Sequence, residues 1–381
     1  MKIAHICLSC FYIDDRAYQE NELVEEHRRQ GHDVLVIAST HVHDSNGQGM
    51  FVSPGSYTNS QGINVVRLAY HPLFPRHLAE KLRLHKGVYQ LLDEFSPDVI
   101  LFHGMCGWEL LTVTSYRKNN PSIKLYVDTH TDFVNSAKDF LSKWVLHSLY
   151  YKPIVRLCLP YIEKILCIST LTKKFASDFY GIPKDSLEFY PLGGHPVQHD
   201  TYLSIRSSIR KELGLVDGQI CFIQSGKQSV EKKLIETLNA FSNNSDPKFR
   251  LFIVGSLLDD VRDTAKELID ADRRIVFLGW KKPEELKALL CAADIFLQPG
   301  SQSSTMQTSL CCFCVPVLDN IEGHEIYTKN NGWLVSCEKE LELVLEEISS
   351  GSTDLSAKKR SSEKLAKEML DYSVLAKRVL Q

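Results

Sequence analysis

Short apolar runs recur along the chain, each about as long as a strand. Between them lie longer stretches whose apolar positions fall three and four apart, the period of an amphipathic helix. In the first half, residues 3–8 read as a buried strand, 16–30 as a helix, and 33–38 as the next strand after the break at Gly31. A polar stretch, 39–62, reads as a loop. The alternation resumes with strand 65–68, helix 77–94, strand 99–102, a helix ending near Arg117, and strand 124–128; a long helical region, 133–162, then precedes strand 165–168 and helix 171–180. After the glycine turn Pro191-Leu-Gly-Gly-His195 and a helical connector, 201–213, the pattern restarts. Strands at 221–224, 251–254, 275–278, 294–298, 315–318 and 333–335 are separated by helices at 234–241, 264–269, 283–292 and 305–313. Residues 338–381 read as helical with a break at 349–353.

Strands separated by helices of this length pair in parallel through right-handed crossovers. The expected fold is α/β: two tandem doubly wound, Rossmann-like domains, 1–196 and 197–367, with a final helix at 368–381 packing back on the first. In such sheets ligands bind beyond the carboxyl ends of the strands, so the expected site is a cleft between the domains.

With 381 residues, 44% of them hydrophobic and 24% charged, the chain is an ordinary globular one, long enough for two cores. A formal net charge of −3 argues against a nucleic-acid binder. The N-terminal apolar run is too short for a signal peptide and soon meets Asp14-Asp15, and no run reaches the about 18 apolar residues of a membrane span. Eleven cysteines, an odd number, fit reduced thiols in a cytoplasmic protein. The pairs Cys7/Cys10 and Cys311/Cys314 have the spacing of a four-thiolate zinc site, but the second lies in Leu310-Cys-Cys-Phe-Cys-Val315, where thiols pack as small hydrophobes.

Two lysines five residues apart, Lys227 and Lys232, lie in Gly226-Lys-Gln-Ser-Val-Glu-Lys-Lys233, between a buried-strand run and a helical pattern. A strand that stops at a glycine and feeds a helix exposes N–H groups and a positive dipole end, where lysines add charge for an anion such as a diphosphate; a solvated helix start is the plainer reading. The turn Pro299-Gly-Ser-Gln-Ser-Ser-Thr-Met306 offers hydroxyls and an amide before a helix, for phosphate or ribose contact or for N-capping by Ser303, Ser304 or Thr305.

These segments fall into one series. Asp98-Val-Ile-Leu-Phe-His-Gly104, Asp128-Thr-His130, Ile165-Leu-Cys-Ile-Ser169, Pro191-Leu-Gly-Gly194, Gly226-Lys-x4-Lys232, Phe252-Ile-Val-Gly255, Val276-Phe-Leu-Gly279, Ala293-Asp-Ile-Phe-Leu-Gln-Pro299 and Val315-Pro-Val317 follow the order and spacing of GT-B glycosyltransferases, and the chain resembles glycosyltransferase family four, the retaining nucleotide-sugar enzymes, over nearly its full length.

The resemblance implies a retaining, metal-independent transfer of a sugar from a nucleotide diphosphate donor to a glycan or lipid-linked acceptor in surface-polysaccharide assembly, with no other cofactor. Lys227, Lys232 and His130 take the catalytic positions. Gly226, Gly255, Gly279, Trp280, Ser301, Gln302, Ser303, Ser304, Thr305 and Ser309 fall on the donor side, and Asp14, Asp15 and His103 on the acceptor side. Two departures stand out. Lysine replaces the usual arginine at 227, keeping the charge and losing the bidentate fork; and serines occupy 301 and 309, where relatives have two glutamates, the second holding the ribose. The loop Ser9-Cys-Phe-Tyr-Ile-Asp-Asp-Arg16 also lacks the paired glycines of many relatives, and its acids are expected to cap the following helix or to orient acceptor hydroxyls.

Residues 67–174 carry 15 Lys/Arg against 9 Asp/Glu. The basic segments 76–86 and 143–152 suit peripheral contact with an anionic membrane at the inner face, while a surface helix with its leucines turned inward is the simpler reading of the first. Two rival readings remain: a nucleotide-sugar epimerase of the same architecture, and a glycan- or nucleotide-binding relative without catalysis.

Overall fold

A computed structural model of the chain describes residues 1–43, 48–133, 141–301, 303 and 305–380, with the backbone alone at 141–143. It divides into two compact units, Met1–Leu192 with Leu375–Gln381, and Gly193–Val374.

The first unit contains strands β1 (Lys2–Cys7), β2 (Asp33–Ser39), β3 (His41–His43), β4 (Gly49–Phe51), β5 (Gly55–Thr58), β6 (Asn64–Leu68), β7 (Val99–Phe102), β8 (Lys124–Thr129), β9 (Lys164–Cys167) and β10 (Leu187–Phe189). Eight form one sheet in the order β10-β9-β8-β7-β1-β2-β6-β5, parallel apart from β5, which runs antiparallel to β6. Helices cover the sheet, and the strands are therefore buried as continuous apolar runs. Ala4, Ile6, Ile100 and Phe102 enter one core; Cys7, Val34, Val36 and Val65 enter another.

The expected loop 39–62 instead carries three strands. β3 and β4 form a short antiparallel ladder, and β5 is an exposed edge with no apolar alternation to announce it; its order comes from pairing with β6. The expected helix 77–94 is two, Arg76–Leu82 and Val88–Phe95. Arg83 at φ 54° and Gly87 at φ 96° turn the chain between them, while Tyr70 bridges His85. In the long helical stretch, 134–140 lie outside the described residues. Leu141–Tyr151 is π-helical, Lys152–Cys158 is α-helical, and Leu159–Tyr161 closes as a 3₁₀ turn.

The second unit is built on six parallel strands, β11 (Ile220–Gln228), β12 (Phe249–Leu257), β13 (Ile275–Gly279), β14 (Ile295–Gln298), β15 (Val315–Asp319) and β16 (Trp333–Val335), in the order β13-β12-β11-β14-β15-β16. Phe222, Leu251, Ile253, Ile295 and Val317 fill its core against Leu234, Leu238 and Phe241 of the helix Leu234–Asn243. The last helix, Tyr372–Arg378, runs across the division at Val374. Its end is held within the first unit, where the Tyr190 hydroxyl donates to the Leu375 carbonyl at 2.7 Å and Arg378 pairs with Glu188.

Candidate active site

Strand order locates the functional ends of both sheets. In the first, the chain moves outward from β1 through β2 to β6, then returns to lay down β7 on the other side of β1. In the second, it moves from β11 to β12 and β13, then returns with β14 beside β11. Loops leaving the carboxyl ends at such a reversal diverge and leave a crevice, where ligands of open α/β sheets bind.

At the reversal of the second sheet, the two segments singled out in the sequence meet. β11 does not stop at Gly226. It continues through Lys227 to Gln228, because β12 is equally long and stays in register, Gly226 opposite Gly255 and Lys227 opposite Ser256. The approach is close enough that a Cβ on Gly255 would lie 1.8 Å from the Gly226 carbonyl oxygen. Lys232 follows in a 3₁₀ turn, Val230–Lys232, and Lys233, in the left-handed conformation, opens the helix.

The Pro299 loop is clamped onto this turn. Ser301 N–H donates to the Glu231 carbonyl at 2.8 Å, Lys232 Nζ donates to the Ser301 carbonyl at 2.5 Å, and a Cβ on Gly300 would meet Glu231 O at 2.3 Å. The half-buried Lys232 ammonium has its pKa lowered by burial, with Glu231 opposing. Lys227 is exposed, and Lys233 is committed to Asp319 at 2.9 Å. Of three neighbouring lysines, one is open to solvent, one is pinned and partly desolvated, and one is spent on an internal ion pair.

Around this clamp the side chains are amides and hydroxyls. Gln224 Nε2 donates to Gln228 Oε1 and to the Lys232 carbonyl, both at 3.1 Å, and Ser303 Oγ donates to Gln298 Oε1 at 2.7 Å. Four buried polar atoms have no hydrogen-bond partner among the described residues: Gln224 Oε1, Ser225 Oγ, Gln298 Nε2 and Gln307 Oε1. Gln224 closes the apolar half of β11 and Gln298 ends the otherwise apolar β14, a signal the sequence reading passed over. Thr305 begins the helix Thr305–Cys311, whereas Gln302 and Ser304 lie outside the described residues. Ser309 is fully buried and its hydroxyl donates to the Met306 carbonyl at 2.8 Å. Gly279, at φ 68°, ends β13, and Trp280 beyond it is 67% exposed.

The reversal of the first sheet is built from charge. His103 Nδ1 lies 2.5 Å from Asp128 Oδ2 and its Nε2 lies 2.9 Å from His5 Nδ1; His5 Nε2 lies 3.0 Å from His27 Nδ1, and His27 Nε2 lies 2.9 Å from the Ala376 carbonyl oxygen. All four side chains are buried. The direction of this relay follows from its ends. A carbonyl only accepts, so neutral His27 donates from Nε2 and accepts at Nδ1 from His5 Nε2–H. His5 Nδ1 then accepts from His103 Nε2–H, and His103 Nδ1–H meets the carboxylate.

His103 is thus an imidazolium. Burial opposes its charge, but Asp128 outweighs that effect and lifts its pKa to about 10, while Asp128 is held low by the same pairing. Burial pushes His5 well below the ordinary histidine value and His27 down to about 4. The relay was not anticipated from the sequence.

Asp128 Oδ1 accepts the Gly104 N–H at 2.7 Å and lies 3.9 Å from Nε2 of His130, which is 35% exposed past the end of β8. Contrary to the capping expectation, the acids of the β1 loop do not cap the next helix: it starts at Gln19, and its N-cap Tyr18 makes no side-chain hydrogen bond. Asp14 instead accepts from the Tyr57 hydroxyl at 2.5 Å and pairs with Arg67 at 3.4 Å, and Asp15 accepts from Ser60 and Gln61. They tie the β5–β6 turn to the β1 loop.

Among the described residues, no group of three or more His, Cys, Asp or Glu side chains is disposed to hold a metal ion. Cys7 and Cys10 belong to the first unit, Cys311 and Cys314 to the second, and Cys314 Sγ donates to the Leu290 carbonyl at 3.2 Å. No helix among the described residues is long and apolar enough to cross a membrane.

Two family profiles match the chain in succession, that of Glycosyltransferase Family 4 over residues 21–193 and that of Glycosyl transferases group 1 over residues 205–368. With the two parallel-sheet units, they define a glycosyltransferase of the GT-B fold. Within that class, the chain is of a family-four-like type.

Solved structures with the same fold include HepE of Anabaena in complex with UDP (15% identity, TM-score 0.66, 100% of this chain and 98% of that one). Also similar are a glycosyltransferase from Rickettsia africae (12%, 0.66, 100% and 96%) and the lipopolysaccharide outer core galactosyltransferase WaaB (13%, 0.64, 100% and 99%). A search of the curated proteins found no match.

Proposed function

We propose that the protein moves a sugar from a nucleotide diphosphate sugar to a hydroxyl of a glycan or lipid-linked acceptor, with retention of anomeric configuration, in the assembly of a capsule, O-antigen or exopolysaccharide. The observation that carries this is the clamp that fixes the Lys232 ammonium, half-buried, beside exposed Lys227 at the carboxyl end of β11. The structure of HepE with UDP supports a nucleotide donor, and WaaB supports a surface-glycan setting.

As the bond from the anomeric carbon to the diphosphate breaks, negative charge builds on the phosphate oxygens. A cation already in place and partly desolvated stabilises that charge more than the ground state does. The acceptor oxygen bonds to the same face of the sugar and its proton passes to the departing diphosphate. Lys232→Ala should lower turnover at least about tenfold, or about 1.4 kcal/mol in barrier, with the donor found in a screen of nucleotide sugars. Unchanged turnover sinks this reading.

A binding protein without catalysis is the second reading, favoured by the absence of a carboxylate at 301 and by the sealed hydroxyl of Ser309. Calorimetry with UDP, GDP and ADP, alongside the donor screen, separates the two: binding without transfer or hydrolysis of any donor supports it.

A further inference from the structure

Nine of the eleven cysteines are buried, Cys337 is exposed, and Cys10 is partly so. Cys10 differs from Cys337 in having a second thiol behind it. Cys7 ends β1, the chain bends over residues 8–10, and Cys10 returns to pack against the core cluster to which Cys7 belongs. There the Cys10 thiol donates a hydrogen bond to the Cys7 sulfur. That bond and burial, with the charges of Glu20 and Asp128 beyond them, push the Cys10 thiol well above its ordinary pKa, so its proton stays in place and points at Cys7.

The pair also has a cation for a neighbour. β7 runs beside β1 as far as Phe102 opposite Ile6, the His103 N–H donates to the Ile6 carbonyl at 3.0 Å, and the His103 imidazolium is drawn electrostatically to the Cys7 sulfur. Thiol–disulfide exchange passes through thiolates, and a buried imidazolium at hand stabilises negative charge as it forms on sulfur. Cys291 and Cys312 likewise share a hydrogen bond, but both are fully buried and no reagent reaches either. Contact between two thiols and a path to solvent are combined at Cys7 and Cys10.

We propose that Cys7 and Cys10 are a reversible redox pair, closed to a disulfide by low-molecular-weight disulfides of the glutathione kind, and that the bond acts as a switch on Asp128. The Cys10 proton passes to Cys7, and the Cys10 thiolate attacks the reagent RS–SR, forming a mixed disulfide and expelling RS⁻. Cys7 then attacks the Cys10 sulfur, the internal bond forms and a second RS⁻ leaves. Two protein thiols are oxidised, one reagent disulfide is reduced, and the two protons end on the released thiolates as RSH. Closure draws the sulfurs to about 2 Å, and the residues between them have little room to follow. Ser9 Oγ donates to the Cys106 carbonyl at 2.7 Å, and a Cβ on Gly104 would meet the Ser9 carbonyl oxygen at 2.9 Å. Gly104 N–H in turn holds Asp128 Oδ1 at 2.7 Å, so movement of Ser9 reaches the carboxylate that anchors His103 and lies beside His130. Control of sugar transfer by this bond rests on the reading above; the redox pair itself does not.

The test equilibrates the full chain, carrying Cys337→Ser to remove the lone exposed thiol, in anaerobic glutathione buffers of rising oxidised fraction. Alkylation with peptide mass mapping reads the thiols, and NMR of histidine-labelled protein reads the relay. The peptide holding Cys7 and Cys10 should lose two hydrogens and both alkylation sites and regain them with dithiothreitol, while Cys291 and Cys312 remain thiols. Cys7→Ser should stop Cys10 at the mixed disulfide with glutathione, and Cys10→Ser should leave Cys7 reduced. The His103 and His130 resonances should shift on oxidation, return on reduction, and stay still in Cys10→Ser. Both thiols alkylated throughout, or Cys291 and Cys312 oxidised at the same buffer ratio, would overturn the redox pair; oxidation that moves neither histidine would overturn the switch. With the donor found in the screen, turnover should fall at least about threefold on oxidation, and Cys10→Ser should keep its turnover and lose that response. No turnover with any donor counts against the transferase reading alone, and turnover indifferent to the disulfide against its control of transfer.

Discussion

The two sheet reversals are built on opposite plans. At the first, the ionised pair and the histidines behind it are consumed internally, in a relay running from Asp128 through three imidazoles to the Ala376 carbonyl. At the second, the buried groups are neutral amides and hydroxyls, several lack partners among the described residues, and a lysine stands open to solvent. A fully satisfied polar network rigidifies, while an unsatisfied one retains binding capacity. The first reversal is therefore a frame and the second a receptor.

Stability should expose that difference most strongly. Asp128→Asn leaves the buried His103 without its counter-charge, and the expected loss is about 3–5 kcal/mol in urea unfolding. Ser225→Ala, which removes a buried hydroxyl with no partner, should change stability by under about 1 kcal/mol. Similar losses for both would break the distinction.

The relay also predicts the shape of stability against pH. His103 is raised from 6.5 to about 10, so the folded state holds a proton that the unfolded state releases between those values. Its contribution is fully present below pH 6.5 and is lost as pH rises toward 10. His27 is lowered to about 4, so below pH 6.5 the unfolded state takes a proton that the folded state refuses, and stability falls as pH drops toward 4. Each limb has a slope of at most about 1.4 kcal/mol per pH unit per proton. Asp128→Asn should flatten the alkaline limb and leave the His27 contribution on the acid side; an unchanged alkaline limb would show that Asp128 does not hold the proton.

At the receptor end, the comparison is between two lysines. Lys232 is partly desolvated and pinned, whereas Lys227 is exposed and its charge is screened by water and salt. In UDP calorimetry Lys232→Ala should weaken binding about tenfold and Lys227→Ala only about two- to threefold. Equal losses would mean that the clamp adds nothing to the charge.

Much of this architecture is legible in the sequence because strands buried on both faces write themselves as unbroken apolar runs. Val99–Phe102 is of this kind, β14 departs from it only at its last residue, Gln298, and β1 is broken only by His5. The extension of β11 through Lys227 is not legible, since Gly226-Lys-Gln228 is polar and its order comes from β12. Glycines 255 and 300 carry no local sign that another backbone passes within contact distance. The relay is hidden for a related reason: His5 and His27 are 22 residues apart and His5 and His103 are 98 apart, so each reads singly as a polar residue beside apolar neighbours. Only the fold brings them to one line.

Within the first unit, a smaller contrast separates the two basic segments named as membrane-facing. In the first, Leu84 is buried, Arg83 donates to the Cys106 carbonyl at 2.6 Å and Arg76 pairs with Glu80, so much of its charge and part of its apolar surface are used internally. The second turns outward: Trp144, Val145 and Leu149 are 52%, 50% and 75% exposed, although Lys152 is tied to the Phe179 carbonyl. An amphipathic surface of this kind binds a bilayer by burying apolar side chains at about 1.5–3 kcal/mol each, with basic groups adding about 1 kcal/mol each near anionic lipid. Flotation with phosphatidylglycerol vesicles should therefore show binding that weakens only modestly from low to high salt. Leu149→Ser should reduce the bound fraction severalfold, and Lys81→Glu should have less effect. Absence of binding at low salt would remove membrane contact altogether, and binding abolished by salt but indifferent to Leu149→Ser would move the contact to the basic residues.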